Sequence, residues 1–170
     1  MTKVLETERL ILRRATADDA EFILELLNDP AWLRFIGDRG VRTLDAARDY
    51  ILKSLVAMYD RHGFGLYVTE LKQGGAPAGL CGLIKRDSLA DVDIGFAFLP
   101  RFRGRGYAYE AAAAVVAYGK SAFGLKRLVA ITSPDNDTSA GLLEKLGFHF
   151  EGTVRLSDDG DAVKLFAAAV

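Results

Sequence analysis

The stretch from Pro100 to Glu110, PRFRGRGYAYE, holds the residue types that phosphate chemistry asks for. A strand pattern stops at Pro100, and Gly104 and Gly106 follow two residues apart. An Ala-rich helical run starts at once. Backbone amides from Gly104 to Ala108 can point outward in such a turn, and a helix N-terminus adds partial positive charge. Glycine lets a phosphate approach the backbone with no Cβ in the way. Arg101, Arg103 and Arg105 surround the loop. Residues 101–127 contain six Lys or Arg and one acid, Glu110, in a chain whose net charge is −1. These residues predict a local anion site. They would equally make a glycine-rich turn with solvated arginines, and composition alone does not choose between the two.

Two familiar phosphate motifs do not fit. The dinucleotide fingerprint needs a third glycine where Tyr109 stands. Gly119-Lys120-Ser121 looks like the end of a P-loop, but the earlier glycine is Ala114, and the triplet ends a helix rather than preceding one.

Other reactive side chains are blander. Cys81 lies in an apolar strand pattern and reads as a buried thiol. His62 and His149 are isolated, and no Cys/His/Asp spacing suggests a metal. Glu110, one turn into the helix, is read as an anchor for the loop, with the substrate cleft as the alternative. Trp32, Phe35 and Ile36 are either core or substrate-contacting.

The elements that must position these groups follow from periodicity. Glu8–Arg14 alternates as a strand, and Thr16-x-x-Asp19 resembles a capping box opening a helix with Phe22, Ile23, Leu26 and Leu27 on one face. Asn28-Asp29-Pro30 ends it. A second helix follows Thr43, with Ala47, Tyr50, Ile51, Leu55, Met58 and Tyr59 as its apolar face. Strands are expected at 65–71, 78–84 and 91–99. A helix is expected over 110–123 with Gly124 as its C-terminal cap, then a strand over 128–132 and a helix over 138–146. Closing strands at 148–155 and 163–168 flank the turn Ser157-Asp158-Asp159-Gly160. The expectation is one α/β (α+β) unit spanning 1–170: a mixed, mostly antiparallel seven-stranded sheet flanked by about four helices.

Composition sets the outer limits. With 170 residues, half of them hydrophobic, the chain is long enough to bury about 70% of its unfolded surface. Lys and Arg number 22 and Asp and Glu 23, which argues against a nucleic-acid partner. The longest apolar run, 111–119, is far short of the roughly 20 residues that span a bilayer, so no membrane partner is expected. Glu6, Glu8 and Arg9 stand where a signal peptide would be apolar, and a single cysteine permits no internal disulfide. A cytoplasmic location is the expectation.

The spacing that does fit is Arg-x-x-Gly-x-Gly at 101–106, and here the chain resembles the GCN5-related N-acetyltransferases (GNAT). The context carries the resemblance further. Asp93-Ile94-Gly95-Phe96 is similar to the Glu-Ile-Gly-Tyr of the RimJ/RimL-like ribosomal-protein branch, and Gly106-Tyr107-Ala108-x-Glu110-Ala111 continues as that branch does. Asn136-x-x-Ser139 and Glu144-Lys145-Leu146-Gly147-Phe148 match its second coenzyme segment. Thr7-Glu8-Arg9-Leu10-x-Leu12-Arg13 matches its opening strand.

The resemblance implies the GNAT fold and acetyl transfer from acetyl-coenzyme A to a primary amine by direct attack, without an acyl-enzyme or a metal. The acceptor it implies is a protein N-terminus or a small-molecule amine, and a homodimer is compatible with it. It assigns the coenzyme to Phe96, Phe98, Leu99, Arg101, Arg103, Gly104, Arg105, Gly106, Tyr107, Ala108, Asn136 and Ser139. A backbone amide between Phe96 and Leu99 would meet the charge developing on the thioester oxygen. Asp93 is the best-placed base, or else a hydrogen-bonding group at a strand bulge. Many relatives carry a Tyr acid where this chain has Leu143. Ser139 is the branch's substitute at the sulfur, or else a helix cap. Leu143 leaves room for an alternative, a coenzyme-binding protein of the same fold with weak catalysis.

Overall fold

The structure is a computed structural model and describes residues 2–170. Eight strands form one sheet: β1 (Lys3–Glu6), β2 (Leu10–Arg13), β3 (Leu66–Leu71), β4 (Pro77–Ile84), β5 (Asp93–Phe98), β6 (Arg127–Thr132), β7 (His149–Arg155) and β8 (Ala162–Ala169). Their order is β1-β2-β3-β4-β5-β6-β8-β7. Every neighbouring pair is antiparallel except β5 and β6, which run parallel. The mixed α/β architecture is as expected, with one strand more than the seven anticipated. The extra strand is β1. Its four residues, with Lys3 and Glu6 exposed, carry too little alternation to announce a strand, and only the pairing Leu5↔Leu12 and Glu6↔Ile11 makes it one.

The helices differ in a similar way. Thr16 and Asp19 do form a reciprocal capping box, which opens a 3-10 turn leading into α1 (Ala20–Leu27). Pro30 then ends α1 and starts α2 (Pro30–Phe35), taking the first helical position, where its missing N–H costs nothing. The second expected helix is continuous but not uniform. It runs as α3 (Leu44–Tyr50), a π-helical segment (Ile51–Val56) and α4 (Ala57–His62). Ala47, Ile51, Leu55 and Tyr59 are buried along it at steps of four, so one apolar stripe survives the change of helix type. The last two helices are α5 (Tyr107–Phe123), ended by Gly124 in the left-handed region, and α6 (Asp137–Lys145).

The sheet buries a core on each face. Leu10, Leu12, Tyr67, Cys81, Leu83, Ile94 and Phe98 pack under α5, whose Ala111, Ala112 and Val115 are fully buried. Small alanines let this helix lie close to the sheet. On the other face Val68, Leu80 and Leu99 meet Ile23, Leu27, Trp32, Ala47 and Ile51 from α1, α2, α3 and the π-helical segment. Asp93 and Ala97 alternate onto this second face, opposite Ile94, Phe96 and Phe98.

Candidate active site

The sheet opens where β5 meets β6. The two strands share one registered pair, Asp93↔Val129, with Val129 donating to the Val92 carbonyl at 3.1 Å. Beyond it β5 has no partner on that side, and Gly95, Phe96 and Ala97 are only half-buried although they lie mid-sheet. On its other side β5 is held in unbroken register by β4, from Gly79↔Phe98 to Ile84↔Asp93. Leu99 donates to Ala78 O at 2.9 Å, so in this antiparallel ladder the odd-numbered amides of β5 face β4. The amides of Phe96 and Phe98 therefore face the opening. Leu99 itself is occupied: its amide is bonded, its carbonyl accepts from Phe102, and its side chain is fully buried. The expectation of a free amide within 96–99 narrows to Phe96 and Phe98.

The loop that follows is built for an anion. Gly104 has φ +76° and Gly106 φ +82°, a region that side chains with a Cβ seldom adopt. Gly106 stands at the N-cap of the seventeen-residue α5 with no side-chain cap. Among the described residues no hydrogen bond engages the amides of Gly104 to Ala108. Space beyond Gly104 is open, and a Cβ on Gly106 would sit 3.3 Å from the Arg9 guanidinium. Free amides at the head of a long helix, with no Cβ over them, fit the pyrophosphate of a coenzyme.

The arginines divide. Arg101 pairs with Glu25 on the surface at 2.5 Å. Arg103 Nε donates to the Phe98 carbonyl at 2.9 Å, and its Nη2 reaches the buried Asp29 at 2.7 Å. Arg103 thus fastens the end of β5 to the α1–α2 junction. Arg105 has no carboxylate partner among the described residues, and its carbonyl accepts from Arg9 at 2.9 Å. Of the three loop arginines it is the one left for a phosphate.

Glu110 takes the anchoring role. Its carboxylate accepts from Thr7 Oγ1 at 2.5 Å, from the Arg9 amide at 2.9 Å and from Arg9 Nε at 2.7 Å. Burial pushes its pKa up, but these hydrogen bonds outweigh burial and hold it below the ordinary value. Arg9 also lies 4.4 Å over the Tyr107 ring. The turn between β1 and β2 thereby braces the loop through Arg9, a residue whose part no spacing rule reveals.

Asp93 is 1% exposed at the start of β5. Its Oδ2 lies 3.2 Å from Arg86 Nε, and its Oδ1 is buried with no partner among the described residues. Burial pushes its pKa up to about 6 against the downward pull of Arg86. The bulge considered for it is not there, since the β4–β5 ladder runs without a shift. Arg86 was not anticipated; it lies in the loop after β4, and only folding brings it to Asp93.

Asn136 caps α6, its Oδ1 accepting from the Ser139 amide at 3.3 Å. The capping role considered for Ser139 therefore belongs to Asn136, and Ser139 offers a half-buried hydroxyl with no hydrogen bond among the described residues. Leu143 is 1% exposed, part of the core under α5. Trp32 is core, Phe35 is half-buried beneath Arg34, and Ile36 is exposed. Cys81 is fully buried, and burial pushes its thiol well above the ordinary value.

A model of the acetyltransferase (GNAT) domain matches residues 9–149 of the chain. The protein belongs to the GNAT acetyltransferase family. The Bacillus subtilis protein named as the uncharacterized N-acetyltransferase YoaA is 34% identical over 158 residues, covering 91% of this chain and 88% of that one. The solved GNAT-family acetyltransferase from Bacillus anthracis is 25% identical, with a TM-score of 0.79 over 97% of each chain. RimL, an α-N-protein acetyltransferase of ribosomal L7/L12 solved with coenzyme A, is 18% identical with a TM-score of 0.83, covering 99% of this chain and 98% of that one. That last likeness is one of fold. As a GNAT enzyme this chain is an acyltransferase. No helix of the described residues is long and apolar enough to cross a membrane.

Proposed function

We propose that this GNAT enzyme transfers the acetyl group of acetyl-coenzyme A to a primary amine, with the whole chain, 1–170, as its N-acetyltransferase unit. The observation that carries the reading is the continuity of the β5–β6 opening with the amide-lined loop. Phe96 and Phe98 offer amides into the opening, and the strand that carries them leads directly to Gly104 and Gly106. Acetyl-coenzyme A, when bound, supplies the acetyl group as an activated thioester.

The chain's own groups then divide the work. Amides from Gly104 to Ala108 and the Arg105 side chain hold the phosphates, while Arg9, Arg103 and Glu110 keep the loop in place. The Phe96 and Phe98 amides face the carbonyl oxygen as charge develops on it. The acceptor arrives as an ammonium and must lose a proton before it can attack. The unpartnered Oδ1 of Asp93 is the atom for that proton, directly or through water, and with a pKa of about 6 the group is ionised at neutral pH. As the new C–N bond forms and the C–S bond breaks, the attacking nitrogen gives up one of its two remaining protons, which balances the departing thiolate as a free thiol, and keeps the other as the amide N–H. The hydroxyl of Ser139 supports the sulfur in that step. We place the chain in the RimJ/RimL-like branch, which the Asp93-Ile94-Gly95-Phe96 and Asn136-x-x-Ser139 segments support. The reading goes with the expected cytoplasmic location and with a protein N-terminus or small amine as acceptor.

Thermal unfolding tests the coenzyme assignment. Acetyl-coenzyme A at a hundred times its Kd adds about 2.7 kcal/mol. In a domain of this size that raises Tm by roughly 5–10 °C, while ATP and NAD leave it unchanged. Gly106→Val should abolish the shift, because the branched Cβ enters a left-handed backbone position beside Arg9. A protein stabilised by ATP and indifferent to acetyl-coenzyme A overturns the reading.

A further inference from the structure

A cavity of about 380 Å³ lies between the π-helical segment and α4 on one side and the loop after β4 on the other. That is within the size range of small-molecule sites. Its wall includes Lys53, Arg61, His62, Lys85 and Arg86, with Asp87 as its one carboxylate. In a chain of net charge −1 this is a strong local excess of positive charge. Little of it is neutralised from within. Arg61 has no ion pair among the described residues, and Lys53 reaches Asp49 only at 3.8 Å with both side chains largely exposed. Lys85 Nζ donates to the carbonyls of Arg86 and Leu89, at 2.8 and 2.6 Å, and to no carboxylate.

The cavity is joined to the chemistry by one side chain. Arg86 lines it, and Arg86 Nε is the atom 3.2 Å from Asp93 Oδ2. A guanidinium has five N–H donors, so contact with Asp93 through Nε leaves both Nη groups for another anion.

Resting on the acetyl-transfer reading, we propose that this cavity is the acceptor's anion subsite, and that the amine acetylated by this enzyme carries carboxylates close to the reacting nitrogen. Lys53, Arg61 and Arg86 hold those carboxylates, and Arg86 sets them beside Asp93. The chemistry is shared by an acidic peptide N-terminus and by a free acidic amino acid.

The test measures thiol release from acetyl-coenzyme A with Ser-Asp-Glu-amide, Ser-Asn-Gln-amide, free glutamate and free glutamine as acceptors. The acidic member of at least one pair should be preferred in kcat/KM by about 10- to 100-fold, and the pair that shows the preference identifies the source. Raising the salt from about 50 mM to 500 mM should erode it, since exposed charges are screened. In the Lys53→Glu/Arg61→Glu double variant the acidic-to-neutral ratio should collapse to about one or below. The Tm shift with acetyl-coenzyme A reports whether that variant is folded, and the milder Lys53→Gln/Arg61→Gln repeats the test if it is not. Acetylation of neutral amines at least as fast as acidic ones, or a ratio unmoved in the folded variant, overturns the inference and leaves acetyl transfer standing. Thiol release with none of the acceptors or any other amine overturns both.

Discussion

Arg86 Nε lies 3.2 Å from Asp93 Oδ2, while Asp93 Oδ1, equally buried, has no partner among the described residues. One oxygen is fixed and the other is free. The guanidinium orients the carboxylate, and burial keeps the free oxygen basic enough to hold a proton near pH 6.

Asp93→Asn keeps the shape and removes the base. Turnover at saturating substrates should fall by about 10²- to 10⁴-fold at pH 7, and the wild-type acid limb near pH 6 should vanish. The deficit should shrink as rising pH deprotonates the amine unaided. Stability gives an independent readout. The raised pKa means that this group's contribution is full below the ordinary carboxylate value of about 3.9 and is lost as pH rises through about 6. Urea midpoints across pH 3 to 8 should show that loss in the wild type and not in Asp93→Asn.

Arg9→Ala removes the brace from the coenzyme loop without touching its amides. The Kd for acetyl-coenzyme A should rise by about 3- to 30-fold, with a smaller effect on Tm in the absence of ligand, as measured by calorimetry. Glu110, held below its ordinary value by Thr7 and Arg9, stabilises the fold above the unfolded carboxylate pKa. That margin disappears as pH falls through the folded value. The wild type should therefore lose its stability advantage over Glu110→Gln below about pH 4.

Asn136 and Ser139 separate cleanly by assay. Asn136→Ala removes the α6 cap and should cost about 1 kcal/mol of stability. Ser139→Ala, which leaves the cap intact, should unfold as the wild type does. If its hydroxyl supports the sulfur, turnover falls by about 10- to 100-fold with little change in coenzyme affinity. Equal turnover in a folded Ser139→Ala removes that role.

Leu143→Tyr would supply the phenol acid that the family resemblance implies for this place, but in a position that is 1% exposed. Overpacking should destabilise the protein by about 1–3 kcal/mol, and turnover should not rise. A faster, equally stable Leu143→Tyr would show that this side chain reaches the opening.

The local rules of the chain are legible in its sequence. The stripe Ala47, Ile51, Leu55, Tyr59 and the Thr16–Asp19 box follow from helix geometry. The Arg-x-x-Gly-x-Gly loop follows from the left-handed backbone that its two glycines supply. These depend on neighbours within a turn, so spacing encodes them. What depends on distant partners was decided by the tertiary structure. Arg101 and Arg103 look like three-of-a-kind with Arg105 until Glu25 and Asp29, 76 and 74 positions away, pair with two of them. Glu110 is an anchor because Arg9, 101 positions earlier, lands beside it. β1 exists only through β2, and Pro30 starts a helix as well as ending one. Asp93 is a carboxylate in any reading. Its burial, its contact with Arg86 and its shifted pKa come from packing, because electrostatics is set by which charges and how much water surround a group in space.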